Sequence, residues 1–226
     1  KTFDCVLANP PFGMEKWGAA QFESDQYGRN LWGCPTDSNA DFAWLQHMVK
    51  SMDPKNGRCA VVLPQGVLFH SGKEGEMRKQ LVLSDKLEAV ITLASGVFYS
   101  TGVSACILYL INKKKHTHKG RICLIDGSEI YTPKRAQNEL SLDNIQTLYD
   151  LYADYTDVIE RCKIVTLKDV EGGGFDLSVK RYIERKKQKT IPPSVIRQNY
   201  FAALETVRTA ESKMRKLLIE GGYVHE

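Results

Sequence analysis

Four consecutive residues near the start of the chain, Asn9, Pro10, Pro11 and Phe12, are of types that could act on an amino group. The exocyclic nitrogen of adenine is a poor nucleophile, because its lone pair is delocalised into the ring. Two hydrogen-bond acceptors placed on its two N–H bonds would favour a tetrahedral nitrogen and expose the lone pair. The side-chain carbonyl of Asn9 and the backbone carbonyl of Pro10 can be these two acceptors.

The two prolines make such a turn stiff, since each fixes its own φ angle and removes a backbone donor. Acceptors held on a stiff turn need little reorganisation at the moment of reaction. Phe12 could stack on a base that has left the duplex. The apolar residues 3–8 predict a mostly buried strand that ends at this turn. The alternative interpretation is an ordinary strand-ending turn without a catalytic role.

Helical and strand-like patterns alternate after the motif and predict an α/β fold. Their positions predict helices at 42–52, 74–83 and 142–152, and strands at 59–63, 87–93, 104–111, 121–126 and 163–171. Near-continuous apolar strands that alternate with helices are typical of a parallel sheet covered on both faces. We expect residues 113–120 to form a solvated hairpin connection between the fourth and fifth strands, which gives the mixed sheet antiparallel character at one end.

The chain is predicted to divide into an α/β domain at residues 1–185 and a C-terminal helical segment at 190–226. Pro192-Pro193 separate the two parts, and residues 194–220 follow one long helical pattern. The apolar face of this helix could pack back on the domain or dock on a partner, and the prolines favour docking. Because Lys1 immediately precedes an apolar strand, we expect an N-terminal portion to be missing.

Composition restricts the class of protein. The 226 residues are 42% hydrophobic and 26% charged, with a net charge of +4, which is ordinary for a globular chain with a mild basic bias. No apolar run could span a bilayer and no signal peptide is visible, so we expect a cytoplasmic protein. The six cysteines include no C-x-x-C pair, and Cys5, Cys59, Cys106 and Cys123 lie in apolar runs. They predict buried, reduced thiols rather than disulfides or a metal site.

Several charged residues allow two interpretations each. The basic stretches Lys113–Lys119 and Lys180–Lys189 could contact phosphate, or could be a charged hairpin tip and a solvated linker. His116 and His118 could in principle hold a metal, but a solvated loop is favoured because no Cys or carboxylate lies nearby. Asp41 suits the positive first turn of a helix.

The segment FDCVLANPPFG resembles motif IV of the S-adenosylmethionine-dependent N6-adenine DNA methyltransferases. Further along the chain, residues 41–69, 97–113 and 175–183 are similar to successive blocks of the modification subunit of type I restriction–modification systems. The resemblance implies methyl transfer from S-adenosylmethionine to adenine N6 in DNA. It also implies DNA, a specificity subunit and a restriction subunit as partners.

By this resemblance Asn9, Pro10, Pro11 and Phe12 carry catalysis and target-base binding, and Asn9 also lies near the cofactor. The resemblance also implies that Asp41 lies near the active-site face, as an alternative to its role at the start of a helix. The family's Gly-rich cofactor loop should precede the motif, and it is not in this sequence. Gly172-Gly173-Gly174 is no substitute, since it follows no strand that opens into a helix. We therefore expect the later half of a Rossmann-like methyltransferase sheet, in a C-terminal fragment that does not bind the cofactor by itself.

The expected truncation leaves residues 3–8 with an unpaired, apolar edge, which predicts self-association. Two further functions stay open. The chain could be an inactive scaffold or subunit-interaction module, or a methyltransferase that acts on a protein amide or on RNA. Protein glutamine methyltransferases resemble this chain in having an Asn-Pro-Pro-aromatic turn.

Overall fold

The computed structural model describes residues 1–98, 102–135, 137–183 and 192–224. Two compact units divide the chain, Lys1–Arg185 and Lys186–Glu226. The first unit contains a six-stranded sheet. Its strands are β1 (Cys5–Ala8), β2 (Arg58–Pro64), β3 (Leu87–Leu93), β4 (Ala105–Ile111), β5 (Arg121–Gly127) and β6 (Cys162–Thr166), and they lie in the order β1-β2-β4-β3-β5-β6.

Five α-helices accompany the sheet in the described part of this unit, and they are α1 (Ala19–Glu23), α2 (Asp41–Ser51), α3 (Lys73–Leu83), α4 (Leu142–Asp154) and α5 (Leu167–Gly172). The predicted helices are confirmed as α2, α3 and α4. Ser141 caps α4, because its side-chain oxygen accepts the Asn144 N–H and the Asn144 side chain accepts the Ser141 N–H in return. These helices cover the sheet and connect its strands.

Strands β1, β2, β3 and β5 all run in one direction, and β4 and β6 run in the other. The predicted mixed α/β sheet is therefore confirmed. Because parallel strands end at the same side of a sheet, the residues that follow β1, β2 and β3 meet there. We call this side, formed by residues 9–13, 65–68 and 94–98, the carboxyl edge.

The core lies on both faces of the sheet, because alternate residues of each strand point to opposite sides. On β5, Ile122 and Leu124 belong to a cluster with residues of α2 and α3, whereas Cys123 and Ile125 belong to a second cluster with Leu148 of α4. Both faces of the central strands are thus buried. The near-continuous apolar sequences of β3 and β5 follow from this double burial.

The predicted hairpin between the fourth and fifth strands is wrong. β4 lies antiparallel between β2 and β3, so both of its edges are paired. β5 therefore pairs in parallel with the outer edge of β3, and the antiparallel pair at that end of the sheet is β5 with β6. The predicted strand at 163–171 is shorter than expected, since it ends at Thr166 and α5 follows.

The first strand is more exposed than predicted. Residues 3–8 were expected to be mostly buried, but Leu7 is 77% exposed and Cys5 is also exposed. The reason is that β1 lies at the end of the sheet and pairs only with β2 among the described residues. Cys59, Cys106 and Cys123 are buried, as predicted. Self-association through this strand stays a prediction.

The stretch between β4 and β5 is solvated only in part, since Lys113, Lys115, His116, Thr117 and Lys119 are exposed but two of its basic residues are not. Lys114 and His118 are buried, since the connection passes the amino end of β3, where Glu88 is only 1% exposed. The His118 Nδ1 lies 2.5 Å from one Glu88 oxygen, and the Lys114 Nζ lies 4.0 Å from the other. The His118 ring also stacks on Tyr155 at 3.5 Å. A buried carboxylate needs cationic or donor partners, and this connection supplies them.

The second unit, described by itself, consists of the helix α6 (Pro193–Glu220) and a short turn. This confirms the long helix predicted at 194–220, and Pro193 occupies its first turn as expected for proline. No residue of α6 is buried, and several of its apolar side chains, including Phe201, Val207 and Leu217, are more than half exposed. Most of the basic stretch Lys180–Lys189 lies outside the described residues.

No helix in the described part of the chain is long and apolar enough to cross a membrane.

The turn after β1 is tied to the start of α2. Gly13 has a φ of +57°, a conformation that glycine adopts without a steric cost. Its N–H donates to Asp41 Oδ1 at 2.9 Å. The Ala40 N–H donates to the Met14 carbonyl at 3.1 Å. Two hydrogen bonds therefore connect this turn with residues that are distant in sequence.

The buried carboxylate of Glu88 gives a first test. We expect Glu88→Gln to lower the free energy of unfolding of the 226-residue chain by about 3 kcal/mol, because it removes one member of a buried charged cluster. Glu139→Gln is the matched control, since Glu139 pairs with Lys134 at the surface and an exposed pair contributes about 0–1 kcal/mol. Urea denaturation measures both. Equal, small losses would contradict the buried cluster.

The positive φ of Gly13 gives a second test. No described atom lies within 4 Å of the position that a Cβ would take at Gly13, so Gly13→Ala meets strain only in its backbone. We expect a loss of about 1–2 kcal/mol in unfolding free energy. Gly172→Ala is the control, because it has equal space and a helical backbone, and it is expected to be neutral or slightly stabilising. A neutral Gly13→Ala would show that the turn differs from the one described.

Candidate active site

The four motif residues follow β1 at the carboxyl edge. Pro10 is buried, Phe12 is half-buried, and Asn9 and Pro11 are exposed. Both peptide bonds that precede the prolines are trans. The pairing of Ala8 with Val61 of β2 holds the near side of this turn, and the hydrogen bond of Gly13 holds the far side. The motif is thus a short bridge between two fixed points.

The two predicted acceptors are unpaired in the described part of the chain. None of the described residues donates a hydrogen bond to the Asn9 side chain or to the Pro10 carbonyl. The two groups belong to adjacent residues, and the exposed Asn9 side chain is open to an incoming molecule. An amide oxygen and a peptide oxygen without donors are an acceptor pair that suits an amino group.

Phe12 contacts a second aromatic residue. Its ring lies 5.9 Å from the ring of Phe98, at an interplanar angle of 75°. This edge-to-face geometry is a favoured arrangement for two aromatic rings. Phe98 comes from the segment after β3, so the contact joins two parts of the carboxyl edge. The contact with Phe98 therefore helps the backbone to fix the orientation of the Phe12 ring.

Sequence reasoning missed Phe98 as a site residue. It lies within the block 97–113 that resembles the family, but nothing in the sequence says which aromatic residue faces Phe12. A signal was available, because Phe98 follows a predicted parallel strand, as Phe12 does. The carboxyl ends of parallel strands are where ligands bind in open α/β sheets.

Residues after β2 complete the carboxyl edge. The Gln65 N–H donates to the Ser104 carbonyl at 2.9 Å, and its side-chain amide donates to the Ala105 carbonyl at 3.1 Å. These bonds hold the end of β2 to the beginning of β4. Backbone and side-chain hydrogen bonds therefore hold this part of the carboxyl edge together.

Arg78 attaches the segment 175–183, which resembles a block of the family, to the carboxyl edge. It is buried on α3, and its guanidinium donates to the carbonyls of Phe175 and His70, both at 2.7 Å. The Leu177 N–H donates to the Leu68 carbonyl at 2.8 Å. The segment 175–183 is thus attached to the residues that follow β2, although about a hundred residues separate them in sequence.

Asp41 lies directly behind the motif. Its side chain is buried, and burial raises the pKa of this carboxyl group above its usual range, against the opposing effect of the Gly13 N–H. The N–H of Asp41 itself donates to the Asn39 side chain at 2.8 Å. The start of α2 thus contributes one carboxylate to the neighbourhood of the turn.

The basic stretch Lys113–Lys119 is not part of this site. It follows β4, which runs opposite to β1, so it lies at the other edge of the sheet beside the beginnings of β3 and β5. In the described residues there is also no group of three or more His, Cys, Asp or Glu side chains that could hold a metal ion. Asn9 is the residue of this sequence that the resemblance to the family places near the cofactor.

Known proteins resemble this chain in sequence. The sequence pattern of the N-6 DNA Methylase family matches residues 1–190. The methylase subunit of the type I restriction enzyme HindI from Haemophilus influenzae is 33% identical over 215 residues, which are 91% of this chain and 47% of that protein. The methylase subunit of MjaVIII from Methanocaldococcus jannaschii is 31% identical over 80% of this chain and 32% of its own length.

A solved structure has the same fold. The crystal structure of the methyltransferase subunit of a type I restriction–modification system from Streptococcus thermophilus matches with a TM-score of 0.74 and 27% identity, over 81% of this chain and 38% of that chain. This chain spans about half the length, or less, of the relatives that it matches. With its rigid Asn-Pro-Pro-Phe turn at the carboxyl edge of an α/β sheet, the chain belongs to the N-6 DNA methylase family, together with the methylase subunits of type I restriction enzymes.

Proposed function

We propose that this chain supplies the target-base half of a site-specific N6-adenine DNA methyltransferase, as part of the modification subunit of a type I restriction–modification system. The observation that carries the proposal is the acceptor pair of Asn9 and Pro10, which sits on a stiff turn without donors among the described residues. An incoming group that brings two N–H bonds could be bound by both oxygens at once.

The proposed chemistry follows from the placement of these oxygens. The Asn9 side-chain carbonyl and the Pro10 carbonyl accept the two N–H bonds of the adenine amino group, which turns its lone pair away from the ring. When bound, S-adenosylmethionine would supply the methyl group to this lone pair as its own S–CH3 bond breaks, and the sulfur would keep that electron pair and leave as the neutral thioether S-adenosylhomocysteine. As the nitrogen forms its new bond it becomes positive, and the same two oxygens stabilise that charge. The nitrogen then gives up one of its two protons, through these hydrogen bonds, to solvent, and no ionised side chain is needed to prepare the nitrogen for attack.

The aromatic residues have a separate task in this proposal. Adenine must leave the duplex to reach the turn, and its flat ring then needs a surface to stack on. Phe12 offers that surface, and its edge-to-face contact with Phe98, at 5.9 Å between ring centroids, helps to keep Phe12 in place. The prolines hold the acceptors and the stacking ring in one fixed relation.

The methyl-donor site belongs to residues outside this sequence in our proposal. Asn9 is the one predicted cofactor contact that this chain contributes, and the relatives it matches are about twice as long or longer. We therefore expect the 226-residue chain alone to bind S-adenosylmethionine weakly or not at all.

The proposed partners are DNA and the specificity and restriction subunits of a type I system. A helix without buried residues supports the protein contacts, because the exposed apolar side chains of α6 suit a partner surface. We propose that α6 docks on another subunit of the complex. The DNA sequence that is methylated would then depend on the specificity subunit.

Substitution of Asn9 tests the proposed function. In the protein expressed from the complete reading frame, with its specificity subunit, we expect Asn9→Ala to lower kcat for methyl transfer to DNA by at least about 100-fold, because one acceptor is lost. DNA binding in a filter or mobility assay should be unchanged. Asn56→Ala is the matched control, since Asn56 is an exposed asparagine in the turn before β2, at the opposite edge of the sheet. An Asn9→Ala protein that keeps its turnover would exclude the assigned role.

A further inference from the structure

Asp41 holds the motif turn from behind. Its carboxylate is 2% exposed, and its Oδ1 lies 2.9 Å from the Gly13 nitrogen, across 28 residues of sequence. Gly13 directly follows Phe12. A hydrogen bond to a charged acceptor is about twice as strong as one between neutral groups. The bond therefore places a strong constraint one residue away from the stacking ring.

The turn has few other means of being held. Pro10 and Pro11 have no N–H, so backbone donors between residues 9 and 13 are limited to Asn9, Phe12 and Gly13. Of these three donors, the Gly13 N–H is the one that, in the described part of the chain, bonds to a residue distant in sequence. The adjoining bond from Ala40 to the Met14 carbonyl strengthens the same attachment. The start of α2 thus decides where the far end of the motif lies.

The alternative role of Asp41, a charge that stabilises the start of α2, fits the contacts less well. The side-chain oxygen that accepts a hydrogen bond at the start of this helix belongs to Asn39, which accepts the Asp41 N–H at 2.8 Å. The carboxylate of Asp41 turns instead to the motif. It does so in a buried position, where burial disfavours its charged form.

We propose that Asp41 is a positioning residue for methyl transfer, whose carboxylate acts through the Gly13 N–H to fix the direction of Phe12 and of the Pro10 carbonyl. This inference rests on the proposed function, and it adds a residue that touches neither the base nor the methyl donor. It makes the geometry of the motif depend on a contact between two segments that are far apart in sequence.

Hydrogen exchange of the 226-residue chain tests the contact itself. A peptide that spans residues 9–14 reports few amides, since two of its residues are prolines. We expect Asp41→Ala to accelerate exchange of the Gly13 amide by about ten- to 100-fold, and Asp41→Asn to give an intermediate value, because a neutral oxygen still accepts. Asp37→Ala is the control, since Asp37 is an exposed acid of the same segment and should leave exchange unchanged. Unchanged exchange in Asp41→Ala would overturn the inference.

Kinetics of the complete protein test the consequence. We expect Asp41→Ala to lower kcat at least about tenfold while KM for S-adenosylmethionine stays within twofold, with Asp41→Asn again between. Faster exchange with an unchanged kcat would overturn the positioning role. If Asp41→Ala does not fold, Asp41→Asn is measured in its place. Wild-type exchange of the Gly13 amide together with a wild-type kcat in Asp41→Asn would contradict the proposal. A wild-type protein that methylates no DNA would instead refute the proposed function, and the exchange result would still judge the contact.

Discussion

Pro10 and Pro11 bring the chain out of the sheet with two fixed φ angles and no backbone donors. This constraint has two consequences. The turn cannot collapse onto its own carbonyl groups, so its oxygens stay available to other molecules. It also cannot adjust its direction locally, and the position of the motif is therefore set by whatever holds its two ends.

The rest of the unit provides those two ends. β1 pairs with β2 and fixes Ala8, while α2 fixes Gly13 and Met14 through Asp41 and Ala40. The loop after β3 adds Phe98 as a third support. The parallel direction of β1, β2 and β3 is what makes these supports converge, since it brings their carboxyl ends to one edge. The sheet thus determines where the four-residue turn lies.

Sequence patterns predicted much of this arrangement because their signals are local. The double proline, the apolar runs of the strands and the capped α4 can each be recognised within a few residues. The neighbours of β4 and β5 could not be predicted in the same way, because strand order depends on which edges are already paired. The order β2-β4-β3 excludes the hairpin that the short connection suggested.

Burial of charged residues was the other source of error. Lys114 and His118 lie in a basic, polar stretch that resembles a solvated loop, and the structure buries both. Glu88, which is hydrogen-bonded to His118 and lies 4.0 Å from the Lys114 Nζ, is within the apolar run of β3 and is the signal that could have been used. An acidic residue in a strand buried on both faces requires donors from elsewhere. Asp41 is a similar case, since its own residue type and position indicated the start of a helix, and its place near the active site was expected only from the resemblance to the family.

The position of the transferred methyl group tests the central claim most directly. The complete protein and its specificity subunit would be incubated with duplex DNA and isotopically labelled S-adenosylmethionine, and the nucleosides would be identified by mass spectrometry. The acceptor pair at Asn9 and Pro10 predicts that the label is on N6 of adenine. Label on a ring carbon such as C5 of cytosine, or on a protein amide with none on DNA, would contradict the account, because neither product uses a nucleobase amino group held by this turn.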